Sequence, residues 1–106
     1  MRKEIENAIY DLDIDISEYD DSSELYSAID YNGTMHEIID GHIDIYYIDL
    51  RKWAVDNYNY VEQANEEGLG TNGKDYHKDI QAGQYIELQG EAYKEIEAIF
   101  NEFNEQ

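Results

Sequence analysis

The sequence predicts a mainly α fold, a compact bundle of four to six helices that forms one acidic domain over residues 1–106. The length of 106 residues is enough for one domain with one modest core. Hydrophobic residues make up 42% of the chain and proline is absent, which argues against the disorder common in acidic chains. Apolar residues also recur every three or four positions along most of the sequence, as they do in amphipathic helices.

The first forty residues contain three short segments with this helical spacing. They cover residues 2–10, 22–31 and 34–39. Ser22 or Ser23 is placed to cap the start of the second helix, because serine side chains accept backbone N–H groups at that position. We therefore expect three short helices in this part of the chain.

The hexapeptide Asp11-Leu12-Asp13-Ile14-Asp15-Ile16 breaks the helical spacing. Acidic and apolar residues alternate strictly along it, which is typical of a strand with one face in solvent. A short strand near residues 11–16 is therefore expected, with a continuation of the first helix as the alternative.

The second half of the chain contains the clearest helical patterns. Apolar residues from Ile43 to Asn57 fall on one helical face, and a further helix is expected over residues 59–67. A glycine-rich loop follows at 68–73, and a long amphipathic stretch runs from residue 75 to Phe103. We expect this stretch to be interrupted at Ala82-Gly83, and Gly90 inside it to mark a kink or a close contact.

The charge of the chain is its strongest functional indication. Seven basic and 26 acidic residues give a formal net charge of −19, far beyond the magnitude of roughly 2–8 that keeps a small domain soluble. Abundant Ile, Asn and Tyr often accompany AT-rich coding, which normally enriches lysine as well, yet lysine is scarce here. This scarcity indicates selection for negative charge. Direct binding of nucleic acid or of an anionic membrane is disfavoured, and we expect a basic protein partner.

The segment 11–24 is the first candidate for the partner-binding surface. On a strand, Asp11, Asp13 and Asp15 would point the same way at intervals of roughly 6.6–6.8 Å, similar to the spacing of successive phosphates in a nucleic-acid strand. The alternative is a solvated acidic edge that discourages strand pairing. The candidate residues of this region are Asp11, Asp13, Asp15, Glu18, Tyr19, Asp20, Asp21, Glu24, Tyr26 and Tyr31.

The solvent faces of the later helices form the second candidate surface. They are expected to carry Asp44, Asp49, Asp56, Glu62, Glu66, Glu67, Glu87, Glu91, Glu95 and Glu102.

The eleven tyrosines are expected to divide between core and interface. Tyr19, Tyr26 and Tyr31 lie among acidic residues, where their rings could stack on arginines of a partner. Tyr46, Tyr47 and Tyr85 match the helical spacing of core positions and are predicted to be buried.

A calcium loop is a weaker interpretation of residues 13–24. Oxygen-bearing side chains occupy positions 1, 3, 5, 9 and 12 of such a loop counted from Asp13, but Glu18 stands where the loop requires glycine. The histidines His36, His42 and His77 show no compact zinc spacing. We therefore expect no metal ion and no cofactor.

Catalytic motifs are not found in the sequence. Cysteine is absent, and neither a nucleophile elbow, a phosphate-binding loop nor a dinucleotide fingerprint occurs. Acidic pairs are so frequent that none stands out as a catalytic dyad. We expect a protein that is not an enzyme.

Two parts of the chain resemble small uncharacterised proteins of bacteriophages and mobile elements. These are HEIIDGHIDIYYIDLRKWAVDNYNYVEQANEEGL at residues 36–69 and IQAGQYIELQ at residues 80–89. In size and charge the whole chain looks like the phage anti-defence proteins that mimic DNA, which include anti-CRISPR and anti-restriction inhibitors and inhibitors of DNA-repair glycosylases.

With this resemblance, the leading hypothesis is an inhibitor, a monomer or homodimer, in the cytoplasm of an infected bacterial host. It would block the nucleic-acid-binding cleft of a CRISPR effector or restriction enzyme. An acidic scaffold that binds a basic partner without blocking nucleic acid is the alternative, and a calcium-binding domain is a weaker one.

Overall fold

The computed structural model describes residues 1–105, and within them the fold is all-α. This confirms the predicted fold class of four to six helices. The helices are α1 (Arg2–Asp11), α2 (Ser22–Ile29), α3 (Thr34–Asp40), α4 (Leu50–Asp56), α5 (Tyr58–Glu66) and α6 (Tyr76–Asn104), with 3-10 turns at Ile16–Glu18 and Asp30–Asn32.

The chain divides into two compact units. Unit 1 comprises Met1–Gly41 and the chain from Gly90 onward, and unit 2 comprises His42–Gln89. Helix α6 runs without interruption through the last part of unit 2 and into unit 1. The expectation of one domain over residues 1–106 stays a prediction.

The core of unit 1 is aliphatic and is built by α1, α2, α3 and the C-terminal part of α6. Within it the ring of Tyr26 stacks on that of Tyr93, with centroids 4.2 Å apart and an interplanar angle of 17°. Its buried apolar residues are Ile5, Ala8, Leu25, Tyr26, Ile29, Met35, Ile39, Ala92, Ile96 and Ile99.

The core of unit 2 is smaller. Ala64 of α5 and Ala82 and Ile86 of α6 form a buried cluster, and the half-buried Tyr60 packs against it. The two helices approach closely at Gly83. A Cβ atom added there would lie 2.9 Å from Val61 Cγ2 and 3.3 Å from the Trp53 ring.

The expected strand at residues 11–16 is not formed. Helix α1 continues to Asp11, Asp13 takes a left-handed conformation with φ of 57°, and a 3-10 turn begins at Ile16. No strand occurs elsewhere in residues 1–105 either. The alternation fails because an isolated strand needs a neighbouring strand to satisfy its backbone groups.

The expected helix over residues 43–57 is correct only for its second half. Residues 42–49 form a loop, and α4 begins at Leu50. Asp49 is the N-cap of α4, and its Oδ1 accepts the Lys52 N–H at 3.1 Å. The consequence is that Tyr46 and Tyr47 are not core residues, because their side chains are 85% and 92% exposed.

Three smaller expectations also change. The cap of α2 is Asp21, whose side chain accepts the Glu24 N–H, so neither serine caps this helix. Ala82-Gly83 does not interrupt α6, because the missing side chain of Gly83 allows close packing. Gly90 marks no close contact, since a Cβ atom there would meet nothing within 4 Å.

Candidate interaction surface

The acidic side chains lie almost entirely at the surface. All 26 acidic residues are within the described chain, and Asp79 alone among them is buried, at 5% exposure. The seven basic residues cannot neutralise so many carboxylates. The net charge of −19 is therefore presented to solvent and to any partner.

Segment 11–24 is held in shape by its own acidic side chains. Asp15 Oδ1 accepts the Ser17 N–H at 3.0 Å and the Ser17 hydroxyl at 2.6 Å. Asp21 Oδ1 accepts the Glu24 N–H at 2.9 Å, and Glu24 Oε2 accepts the Asp20 N–H at 2.9 Å. The carboxylates thus act as caps for a 3-10 turn and for α2, as short acidic side chains do at helix starts.

This arrangement replaces the predicted row of phosphate-like carboxylates. Asp11 ends a helix, Asp13 is left-handed and Asp15 caps a turn. The three residues therefore share no strand, and the argument from strand spacing does not hold. What remains is an exposed acidic segment with a fixed backbone.

The hydrogen bonds that Asp15 accepts also affect its ionisation. Hydrogen bonds from the hydroxyl and then from the backbone N–H of Ser17 lower the pKa of Asp15. Both bonds favour the charged form. Asp15 is therefore a carboxylate at neutral pH while it caps the turn.

A shallow groove lies along the second half of the segment. Its lining includes Glu18, Tyr19, Asp21, Glu24 and Ala28. Three carboxylates around one depression, beside a half-buried aromatic ring, form a surface suited to guanidinium and ammonium groups.

Glu102 differs from the other candidate residues because an internal cation engages it. Arg2 of α1 forms ion pairs with Glu6 of the same helix and with Glu102 near the end of α6. The hydrogen bond from Arg2 lowers the pKa of Glu102, and both glutamates raise the pKa of Arg2. Arg2 therefore connects α6 to α1 within unit 1, and this contact makes the carboxylate of Glu102 less available to a partner.

The remaining candidate carboxylates are distributed over both units, and they are described unit by unit. Glu91 is exposed and Glu95 half-buried in unit 1. In unit 2, Asp44 and Glu87 are half-buried. The exposed carboxylates of unit 2 are Asp49, Asp56, Glu62, Glu66 and Glu67.

The predicted interface tyrosines fare differently from one another. Tyr31 is 87% exposed and Tyr19 is half-buried. Contact of Tyr26 with a partner stays a prediction, but its side chain is only 6% exposed and stacks on Tyr93 in the core of unit 1. Its position on the apolar face of α2, next to Leu25 and Ile29, is the reason.

Asp79 has a structural role that the sequence did not reveal. Its Oδ1 accepts the Thr71 N–H at 2.5 Å and the Thr71 hydroxyl at 2.8 Å, and its Oδ2 accepts the Gly73 N–H at 2.8 Å. Burial alone would raise the pKa of Asp79, but these hydrogen bonds outweigh it and the pKa is lowered. Asp79 therefore fixes the glycine-rich loop ahead of α6.

Metal coordination finds no support in the part of the chain that is described. No group of three or more His, Asp or Glu side chains within residues 1–105 is placed to hold a metal ion. Oxygen atoms proposed as calcium ligands, those of Asp15, Asp21 and Glu24, accept backbone N–H groups instead.

Comparisons with known proteins do not assign the chain to a family. No protein-family model matches it, and no curated protein or solved structure matches it. The likeness to phage anti-defence proteins therefore stays a prediction.

No helix within residues 1–105 is both long and apolar enough to span a lipid bilayer.

Proposed function

We propose that the protein is a DNA mimic that blocks the nucleic-acid-binding cleft of a bacterial defence nuclease, most specifically a CRISPR effector. The observation that supports the proposal is the placement of 25 of the 26 acidic residues at or near the surface of a chain with a net charge of −19. Such a surface attracts the lysine and arginine residues with which a nuclease binds phosphates.

The mechanism is competition, and it requires no bond to be made or broken. An RNA-guided effector reads its short target motif with arginines that normally contact guanine bases. Carboxylates pair with arginine in the same two-pronged geometry. An acidic protein seated in the cleft would occupy these arginines and exclude the DNA.

The capped backbone of segment 11–24 favours this segment as the main contact. Because Asp15, Asp21 and Glu24 already fix the local conformation, little further ordering is needed on binding. A preorganised surface gains affinity by avoiding that entropic cost. The groove lined by Glu18, Asp21 and Glu24 is the part best shaped to receive an arginine.

Competition with labelled duplex DNA tests the proposal. Purified CRISPR effectors and restriction enzymes are loaded with fluorescent target DNA, and the anisotropy is followed as the protein is added at low salt. We expect displacement from at least one nuclease, and a weaker effect as the salt concentration rises. Failure to displace DNA from any of them at low salt would count against the proposal.

A pair of charge-reversed variants separates the proposed surface from total charge. The first carries Asp11→Lys, Glu18→Lys and Asp20→Lys, which spares the capping residues. The second carries Glu62→Lys and Glu66→Lys on α5 and Glu67→Lys directly after it, and both variants change the net charge by the same amount. Displacement should weaken much more in the first. Equal weakening in the two variants would show that segment 11–24 contributes only through the charge that it carries.

A gel-shift experiment with the same components distinguishes an inhibitor from an acidic scaffold. A scaffold would bind the basic protein and leave its DNA in place, so a slower-moving complex of all three components would appear in a gel-shift experiment. An inhibitor instead releases free DNA. We expect free DNA to increase as the protein is added.

A further inference from the structure

The loop from Asp44 to Asp49 in unit 2 displays two adjacent tyrosines to solvent. Tyr46 is 85% exposed and Tyr47 is 92% exposed. We call residues 44–49 the tyrosine loop. Tyrosine side chains are enriched where proteins bind one another.

The backbone that carries these rings is held by specific hydrogen bonds. Asp44 Oδ1 accepts the N–H groups of Tyr46 at 3.0 Å and Tyr47 at 3.2 Å. Gln84 of α6, only 8% exposed, accepts the Asp44 N–H at 2.9 Å and donates to the Asp44 carbonyl at 2.7 Å. The loop is thus clamped to α6 by a buried amide, and the two rings project from a fixed support.

A small cavity adjoins the tyrosine loop. Asp44 and Ile48, which stand on either side of the two tyrosines in sequence, line it together with His42, Trp53, Gln84, Glu87 and Leu88. The lining combines two carboxylates, an imidazole, an amide, an indole ring and aliphatic side chains. This combination suits an arginine, whose methylene stem packs on apolar surface while its guanidinium stacks on aromatic rings and pairs with carboxylates.

We propose that the tyrosine loop is a docking element for arginine side chains on the surface of a basic protein partner. The charge of the chain selects the occupant, because a net charge of −19 attracts a basic surface and repels an acidic one. The exposed rings select arginine over lysine, since the planar guanidinium stacks on aromatic faces. The proposal takes the positive charge of the partner from the proposed function but assigns the contact to other residues.

Peptides provide a test that involves neither a nuclease nor DNA. Trp53 is the single tryptophan of the chain and lines the cavity beside the loop, so its fluorescence reports binding there. The full-length protein is titrated with an oligoarginine peptide and with an oligolysine peptide of equal length. We expect oligoarginine to perturb Trp53 and to bind more tightly, by about two- to five-fold for each stacked tyrosine.

Substitutions assign the preference to the loop. Tyr46→Ala and Tyr47→Ala, separately and combined, should reduce oligoarginine affinity toward the oligolysine value, whereas Tyr46→Phe should keep the preference because it retains the ring. Tyr10→Ala is the matched control, since Tyr10 of unit 1 is also 85% exposed; it should behave like the wild type. Circular dichroism confirms that each variant is folded.

Two results would overturn this inference. One is equal affinity of the wild type for the two peptides, and the other is an arginine preference that survives in the folded double variant. Either result leaves the DNA-displacement assay free to succeed. Conversely, an arginine preference without DNA displacement from any nuclease supports the tyrosine loop and rejects the proposed inhibition.

Discussion

Asp79 shows at the level of one residue how the fold uses a charge internally. A buried carboxylate is costly unless hydrogen bonds satisfy it. Three donors from Thr71 and Gly73 do so within 2.8 Å, and they stabilise the ionised form more than burial destabilises it. Asp79 is the one acidic residue that is buried within residues 1–105, so its contribution to stability depends on these bonds.

The substitution Asp79→Asn should destabilise the protein at neutral pH. The amide that replaces Oδ1 or Oδ2 is a donor facing another donor, so one loop N–H loses its partner, at a cost of about 1–3 kcal/mol. Because the pKa of Asp79 is lowered in the folded state, its contribution is present above the ordinary carboxyl pKa and is lost as the pH falls through the folded value. The stability gap between wild type and variant, measured by urea denaturation, should therefore narrow at acidic pH.

Asp56→Asn serves as the control for this effect. Asp56 is exposed at the end of α4, and its replacement changes the net charge by the same amount. It should alter the free energy of unfolding by little at neutral pH. If the two variants were equally stable at neutral pH, the bonds from Asp79 to the loop would have no net stabilising effect.

At the level of the helices, the capping residues of the chain are also part of its acidic surface. Asp15, Asp21 and Asp49 each accept a backbone N–H at the start of a helical segment. Negative charge is favourable at these positions because the first backbone N–H groups of a helix carry partial positive charge. The same residues therefore set the helix boundaries and contribute to the charge of the surface.

The local sequence pattern was sufficient for several helices but not for residues 42–49. The short helices at the start of the chain and α5 follow from apolar spacing and from the glycines near them. The stretch from Ile43 has an equally good apolar spacing, yet it forms a loop. The reason is that the Asp44 side chain accepts the N–H groups of Tyr46 and Tyr47, and the Gln84 side chain accepts the Asp44 N–H. Gln84 is 40 positions away, so a local pattern could not reveal this competition.

The glycines of α6 give a paired prediction about helix packing. Gly83→Ala should destabilise unit 2 by about 1–3 kcal/mol, because the added Cβ would lie 2.9 Å from Val61 Cγ2 and 3.2 Å from the Val61 backbone nitrogen. Gly90→Ala should stabilise the protein by up to about 1 kcal/mol, because it is exposed inside the helix with nothing within 4 Å of the new atom.

Chemical denaturation of the two single variants and the wild type measures both effects. The unfolding midpoints should move in opposite directions. A stabilising Gly83→Ala would show that α5 and α6 have room for a methyl group at this position. A destabilising Gly90→Ala would mean that another group occupies the space beside Gly90 in the folded protein.

For the whole molecule, composition was enough to predict an acidic surface but not the parts of it that are built for binding. Burial separates Tyr26 from the exposed tyrosines, and capping replaces the expected row of aspartates. The tyrosine loop was missed because its residues also satisfy a helical pattern. The burial of Tyr26 and the conformation of the tyrosine loop depend on contacts between residues that are far apart in sequence. The positions of the capping aspartates depend on which backbone N–H groups lack a partner at the start of a helical segment.

The excess of negative charge should make the stability of the protein depend on salt. Two like charges 10 Å apart repel by about 0.4 kcal/mol in water, and a net charge of −19 creates many such pairs. Salt also weakens attractions such as those of Arg2 with Glu6 and Glu102, but seven basic residues against 26 acidic ones leave repulsion dominant. Raising the salt concentration from about 0.01 to 0.3 M, where the Debye length falls below about 10 Å, should therefore increase the free energy of unfolding by at least about 1 kcal/mol.

Urea denaturation over this salt range, in sodium chloride, measures the dependence directly. The variant Glu62→Gln, Glu66→Gln, Glu67→Gln provides the control, because it removes three exposed charges, two on α5 and one directly after it, and keeps side chains of similar size. Its stability should exceed that of the wild type at low salt and converge with it at high salt, since screening removes the repulsion that the substitutions relieve. Stability that is flat or falls with salt in the wild type would mean that attractive contacts outweigh the repulsion.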